Sequence, residues 1–281
     1  MIFRLRSTPR LHSRVYPLTI PRDLDPGKGF KNHGVFEGRT RGIRAWSCHS
    51  TAQTKGSRPH PIHCHKHEEI LLLLAGELDV IVPEAHSREG GGRMRLRPGQ
   101  VVYYPSLFPH TVEATSDDPA DYLALEWFNR RRTYSSTAQQ FGVFDLTFDD
   151  DITDGFVSRL VFRGPTRYLK KLQCHTTVAT PGRGQEPHVD GYDVALVILE
   201  GEVETLGGKA GTCDVVLYAA KEIHGMSNNG QKTARLVAFE FHGITRDVCS
   251  RMLLTTWSLF VRGGKKIVRL LRQRIRPAGE G

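Results

Sequence analysis

His63, His65 and Glu69 stand at alternate positions of one short segment, and His110 follows downstream after Pro105-Ser-Leu-Phe-Pro109. On a strand the first three share parity, so their side chains point to one face. A second strand would bring in His110. Three neutral imidazoles and one carboxylate converging in this way hold a divalent transition metal and leave positions open for water or substrate. The donor set admits Fe(II), Mn, Ni, Zn, Co or Cu. By the same parity Cys64 points away and is expected to pack in a sheet, while His67 shares the ligand face as a spare donor. Glu77, Glu113 and Tyr104 are acid–base candidates, but no spacing selects among them, so the catalytic group stays unassigned. Neither a GxSxG turn nor a Cys-His context points to nucleophilic hydrolysis.

The pattern is written twice. His63 matches His188, His65 matches Asp190 and Gly76 matches Gly201 at an offset of 125. Further on, His110 matches His224, and Tyr122–Glu126 matches Leu236–Glu240, at an offset of 114. The first copy carries the longer connection, a polar loop over 85–93. In the second copy Val194 takes the position of Glu69, and Asp193 beside it has the wrong parity unless a bulge turns it inward. His188, Asp190 and His224 therefore form either a 2-His-1-carboxylate metal site or a degenerate ligand pocket.

The elements that must position these groups are short β-branched strands between Gly or Pro turns. Ile70–Leu74 and Ala195–Leu199 are apolar runs that end in Gly-Glu, as buried strands entering a turn do. A sandwich or barrel architecture follows. The expected organisation is an amino-terminal arm over 1–45, modules over 46–148 and 149–245, and a basic tail over 246–281. In the tail, Ile267, Val268, Leu270, Leu271 and Ile275 fall on one side of a helix, and most of the bases fall on the other.

At these residues the chain resembles the cupin family. His63-x-His65-x3-Glu69-x6-Gly76 meets the first cupin motif, with the upstream Gly56 one residue further away than usual. Gly99-x5-Pro105 and His110 meet the second. Leu107 stands where glycine is common and Ala114 where asparagine is, whereas His224-x3-Asn228 matches that end better. The resemblance implies an all-β bicupin: two tandem double-stranded β-helix, jelly-roll barrels with a short helical tail. It also implies a metal at His63, His65, Glu69 and His110. The expected activity is that of a non-haem Fe(II) dioxygenase-type oxidoreductase acting on a small polar metabolite, although other bicupins carry out Mn-dependent decarboxylation. Arg235 beyond His224 is similar to the arginine that binds 2-oxoglutarate in the Fe(II) oxygenases of this fold. The stretch from His188 to Glu204 resembles cupins of bacterial surface-polysaccharide synthesis, which gives a sugar isomerase, epimerase or sugar-binding protein as the alternative.

Composition narrows the remaining classes. The chain has 281 residues, 39% of them hydrophobic and 25% charged, enough for a sizeable core. The apolar run Ile70–Ala75 is far short of the ~20 residues of a membrane-spanning helix. Five dispersed cysteines with no CxxC pair argue against a disulfide framework. No apolar segment follows the basic start, so a reduced, cytoplasmic setting is expected. Seven of the bases behind the formal charge of +9 lie between Arg262 and Arg276, and the body is nearly neutral. No nucleic-acid partner is expected. The expected partners are a small-molecule substrate and a second copy of the chain in a dimer, with a possible peripheral membrane contact through the basic tail.

Overall fold

Strands buried on both faces read as continuous apolar runs, and the run after Glu69 shows why. Ile70 and Leu72 pack into a core shared by both halves of the molecule, while Leu71 and Leu73 pack into the interior of the first barrel. The computed structural model that shows this describes residues 8–86, 92–130, 137–149 and 151–243.

The first half contains β1 (Arg14–Tyr16), β2 (Phe30–Gly38), β3 (Ala45–Gln53), β4 (Glu68–Ala75) and β5 (Leu78–Ile81). It continues with β6 (Arg93–Leu96), β7 (Gln100–Tyr104), β8 (Thr111–Ala114), β9 (Ala120–Phe128) and β10 (Gly142–Asp145). The second half contains β11 (Phe156–Gly164), β12 (Leu169–Ala179), β13 (Gly184–Val189), β14 (Asp193–Glu200) and β15 (Glu202–Thr205). It ends with β16 (Gly208–Gly211), β17 (Val215–Tyr218), β18 (Ile223–Ser227) and β19 (Ala234–Gly243).

Each half is a large sheet facing a small one. Barrel one sets β10-β7-β4-β9-β3-β2 against β6-β5-β8, and barrel two sets β1-β17-β14-β19-β12-β11 against β13-β18-β15-β16. The chain is all-β, as jelly-roll barrels require. The amino-terminal stretch serves both halves: β2 pairs with β3 in barrel one, whereas β1 crosses to pair with β17 in barrel two. At Gly76 and Gly201 the backbone takes φ of 71° and 76° to leave the apolar strands, a conformation that favours glycine.

The two large sheets pack back to back. Trp46 and Trp127 of barrel one meet the Phe241 ring of barrel two at 4.6 and 5.0 Å. Two buried carboxylates lock the seam. Glu68 accepts hydrogen bonds from Trp127 Nε1, Thr166 Oγ1 and the Arg167 amide, each at 2.7 Å, and from Tyr103. Asp193, its counterpart, accepts from Thr40 Oγ1 at 2.6 Å and the Ala220 amide at 2.8 Å. No bulge turns Asp193 into barrel two; strand alternation sends it to the seam and Val194 to the interior.

Among the described residues no helix is long and apolar enough to cross a membrane. The helical tail expected over 246–281, and with it the membrane contact, lies outside the described residues.

Candidate metal centres and cavities

The strand expected over 63–69 begins only at Glu68. His63 forms an isolated antiparallel bridge with His110, and residues 64–67 run as a loop. Cys64 is exposed rather than packed in a sheet, because no strand forms there to cover it. The loop is held by its neighbour. Leu107 donates its amide to the His65 carbonyl at 2.8 Å, and Ser106 and Tyr168 donate hydroxyls to the Lys66 carbonyl. Leu107 does this at φ 67°, the left-handed region that makes glycine common at this place. A leucine there costs roughly 1–2 kcal/mol.

His65, Glu69 and His110 converge in barrel one. Glu69 Oε2 lies 3.1 Å from His65 Nε2 and 3.3 Å from His110 Nε2. His63 flanks them, its ring 5.3 Å from those of both His65 and His110 and packed at 3.7 Å against His60. Every imidazole of the set turns Nδ1 to a backbone carbonyl: His63 to His110, His65 to His67, and His110 to Phe108. A carbonyl only accepts, so each Nδ1 carries the proton and each neutral ring presents its Nε2 lone pair. Lone pairs of two nitrogens and a carboxylate oxygen then face one another, which is unfavourable unless a proton or a metal cation lies between them. The residues present fit a divalent metal.

Electrostatics agree. Burial pushes the Glu69 carboxyl up, but the hydrogen bonds it accepts when His110 and His65 are protonated at Nε2 outweigh it and hold the group well below the carboxylate range, so without a metal a proton fills the gap. Burial and the neighbouring imidazoles His60, His110 and His65 push His63 down to about 4, so it is a neutral donor at pH 7.

The centre opens on a cavity of ≈ 610 Å³ lined by His49, His60, His67, Tyr104, Tyr122 and Glu126, among others. Tyr104 stacks on His110 at 4.0 Å, and its fully buried hydroxyl has no hydrogen-bond partner. Of the other acid–base candidates, Glu77 is paired with Arg95 and Arg97, and Glu113 with Arg58 and Arg93, on the outer face of β5 and β8. Neither lines the cavity. Glu126 does, and burial together with the Glu69 charge raises its carboxyl to about 7. Sequence reading passed over Glu126 and His49 as site residues. The signal was the repeat itself: Glu126 recurs as Glu240, and His49 as His175, at the same strand parity.

In barrel two, Asp190 Oδ2 lies 3.5 Å from His188 Nε2 and 3.4 Å from His224 Nε2. Both rings again donate Nδ1 to carbonyls, those of Glu186 and Glu222. The cavity that all three groups line is ≈ 100 Å³, and His224 also borders a depression of ≈ 820 Å³ lined by Gln185, Glu204, Thr205 and Met226. Arg235 does not reach it. Alternation along β19 sends Leu236, Ala238 and Glu240 inward and Arg235 outward, where it pairs with Glu200. The comparison with a 2-oxoglutarate-binding arginine fails on that parity.

The cupin domain family matches residues 52–126, which carry the whole first centre. The chain has the bicupin fold. Solved structures similar to this chain include protein Ylba from E. coli (11% identity, 87% of this chain and 97% of that one, TM-score 0.59). AerE from Microcystis aeruginosa is similar over 82% of this chain and 97% of its own, at 11% identity and TM-score 0.57. A salicylate 1,2-dioxygenase from Pseudaminobacter salicylatoxidans is similar over 72% of this chain and 71% of its own, at 12% identity and TM-score 0.54. No curated protein sequence matches the chain.

Proposed function

We propose that barrel one is the working site of a metal-dependent enzyme, a non-haem Fe(II) dioxygenase-type oxidoreductase acting on a small polar metabolite. One observation carries the reading: His65, Glu69 and His110 converge with both imidazoles fixed by carbonyls and Nε2 turned inward, at the wall of a ≈ 610 Å³ cavity. His63 is the fourth donor, beside them. A bound Fe(II) would supply Lewis acidity and redox electrons at positions the side chains leave open. The chain's own contribution is placement. The Phe108 and His67 carbonyls fix the ligand tautomers, and the Leu107 amide fixes the loop that carries His65. Tyr104, stacked on His110, keeps that ring from turning. Glu126, with a carboxyl near neutrality, is placed to exchange a proton with a bound substrate. The dioxygenase of similar fold supports this choice of chemistry among the cupins.

The test is anaerobic reconstitution with Fe(II), followed by oxygen-electrode measurements with a panel of small polar metabolites. Retained iron with substrate-dependent O2 uptake supports the reading. Stable Zn or Ni binding with no uptake on any substrate overturns the oxygenase assignment.

A further inference from the structure

Barrel two shows what a carboxylate at one position of this sheet takes as partners. Glu240 on β19 receives Lys171 Nζ at 3.4 Å, Gln173 Nε2 at 3.1 Å and His242 Nε2 at 2.8 Å. His175 Nδ1 lies 3.6 Å away as a third base. With those side chains in place, the cavity beside Glu240 is ≈ 100 Å³.

Glu126 is the counterpart of Glu240. It lies opposite Glu69 as Glu240 lies opposite Val194. The register assigns each donor's counterpart. Ser47 faces Glu126 as Gln173 faces Glu240, and the pair Ala45–Phe128 takes the place of Lys171–His242. The ammonium and the imidazole are thus gone, and a serine hydroxyl stands in place of the amide. Among the described residues, the base paired with Glu126 is His67, at 3.6 Å. The cavity lining carries, among the described residues, Glu37, Glu69 and Glu126 and neither lysine nor arginine.

Two acids directly opposite each other on adjacent strands repel, so the Glu69–Glu126 pairing calls for a cation beyond the one at Glu69. A second unmet group lies on the same wall. The Tyr104 hydroxyl is buried without a partner, whereas Tyr218 bonds Thr205 at 2.7 Å in barrel two. Val80 stands in the position of Thr205. Among the described residues barrel one therefore sets no lysine or arginine beside Glu126 and no acceptor at the Tyr104 hydroxyl.

We propose that the cavity of barrel one takes a small molecule bearing a protonated amine, whose ammonium pairs with Glu126 in the place that Lys171 Nζ occupies beside Glu240. An oxygen function of the same molecule lies towards Tyr104 and the His65–Glu69–His110 centre. The inference names the substrate class of the site proposed above and rests on that reading for the metal end alone; the amine end needs no metal.

Three probes of one shape test it: tyramine, 4-ethylphenol and 4-hydroxyphenylacetate, which are cationic, neutral and anionic. Each is titrated calorimetrically into the full chain, metal-free and Zn(II)-loaded, with bound metal counted separately. In both forms tyramine is expected to bind at least about tenfold more tightly than the other two. Glu126→Gln should erase the preference while leaving bound metal unchanged. Ala45→Lys keeps Glu126 and supplies an internal ammonium, so it should block tyramine as well. Equal or tighter binding of 4-hydroxyphenylacetate to the metal-free chain overturns the inference, as does a preference that survives both substitutions. A chain that prefers tyramine yet holds no metal refutes the metal centre and leaves the amine site standing.

Discussion

Glu69 and Val194 occupy the same register position in their barrels. Glu69 faces Tyr104 across β4–β7, and Val194 faces Tyr218 across β14–β17. One side-chain difference at an otherwise repeated place leaves barrel two with three potential ligands where barrel one has four. Val194→Glu should therefore create a second tight metal equivalent, at a cost in stability from the adjacent Glu240. Metal analysis after exhaustive dialysis, with circular dichroism to check the fold, measures it. A folded variant that still retains a single equivalent would show that ligand number does not set the difference.

The loop that carries His65 makes a sharper contrast than a strand would. Cys64 is exposed and His65 points inward, so Cys64→Ala should leave bound metal nearly intact while His65→Ala lowers it sharply. Loss of one ligand of this kind typically costs at least tenfold in affinity. Competition with a chromophoric chelator gives both values, and equal losses in the two variants would contradict the loop's orientation.

As pH rises through neutrality the stability of the metal-free protein should fall, while the stabilisation added by metal should grow. Burial and the Glu69 charge raise Glu126 from 4.5 to about 7, and burial raises Asp193 from 3.8 to about 6. Burial lowers His65, but its bond to Glu69 outweighs that and sets it above 6.5. All three hold protons more tightly when folded. Their stabilisation is complete below the unfolded values and is lost as pH climbs through the folded ones. Glu69, depressed in the fold, works the other way, and its contribution is lost only below its ordinary 4.5. Burial lowers His49, His60, His63, His67 and His175, which oppose this trend below their ordinary 6.5, so the metal-free Tm should fall between about pH 6.5 and about pH 8. The rise in Tm on adding Zn(II) should grow over the same range, because metal displaces protons from its ligands. A metal-free Tm that climbs steadily with pH would contradict these assignments.

The seam between the barrels makes a prediction independent of metal. Thr166→Val leaves the buried Glu68 carboxylate short of one donor and should cost about 1–3 kcal/mol. Urea denaturation reads the loss, and metal stoichiometry should not move. An unchanged midpoint would mean that the remaining donors to Glu68 suffice.

The repeat made most of the fold legible in the sequence, because the same apolar runs, glycine turns and histidines recur at fixed offsets. Parity then placed Val194 inside and Asp193 outside without coordinates. What parity could not show was where extended chain stops being strand. His63 and His65 sit in a loop whose shape comes from Leu107, Ser106 and Tyr168, residues distant in sequence. Arg235 was misread because spacing to His224 was weighed and the alternation along β19 was not. Glu126 went unassigned for a different reason. Its meaning lies in the donors missing around it, and that contrast with Glu240 becomes visible only once the two sheets are laid in register.

The central claim is that the two barrels are unequal and that barrel one holds the metal. Titration of the metal-free chain with Fe(II) under anaerobic conditions, followed by calorimetry on His110→Ala and His224→Ala, tests it most directly. The account predicts about one tight equivalent per chain, abolished by His110→Ala and retained in His224→Ala. Two tight equivalents, or one that disappears only with His224→Ala, would contradict it and move the working site to barrel two.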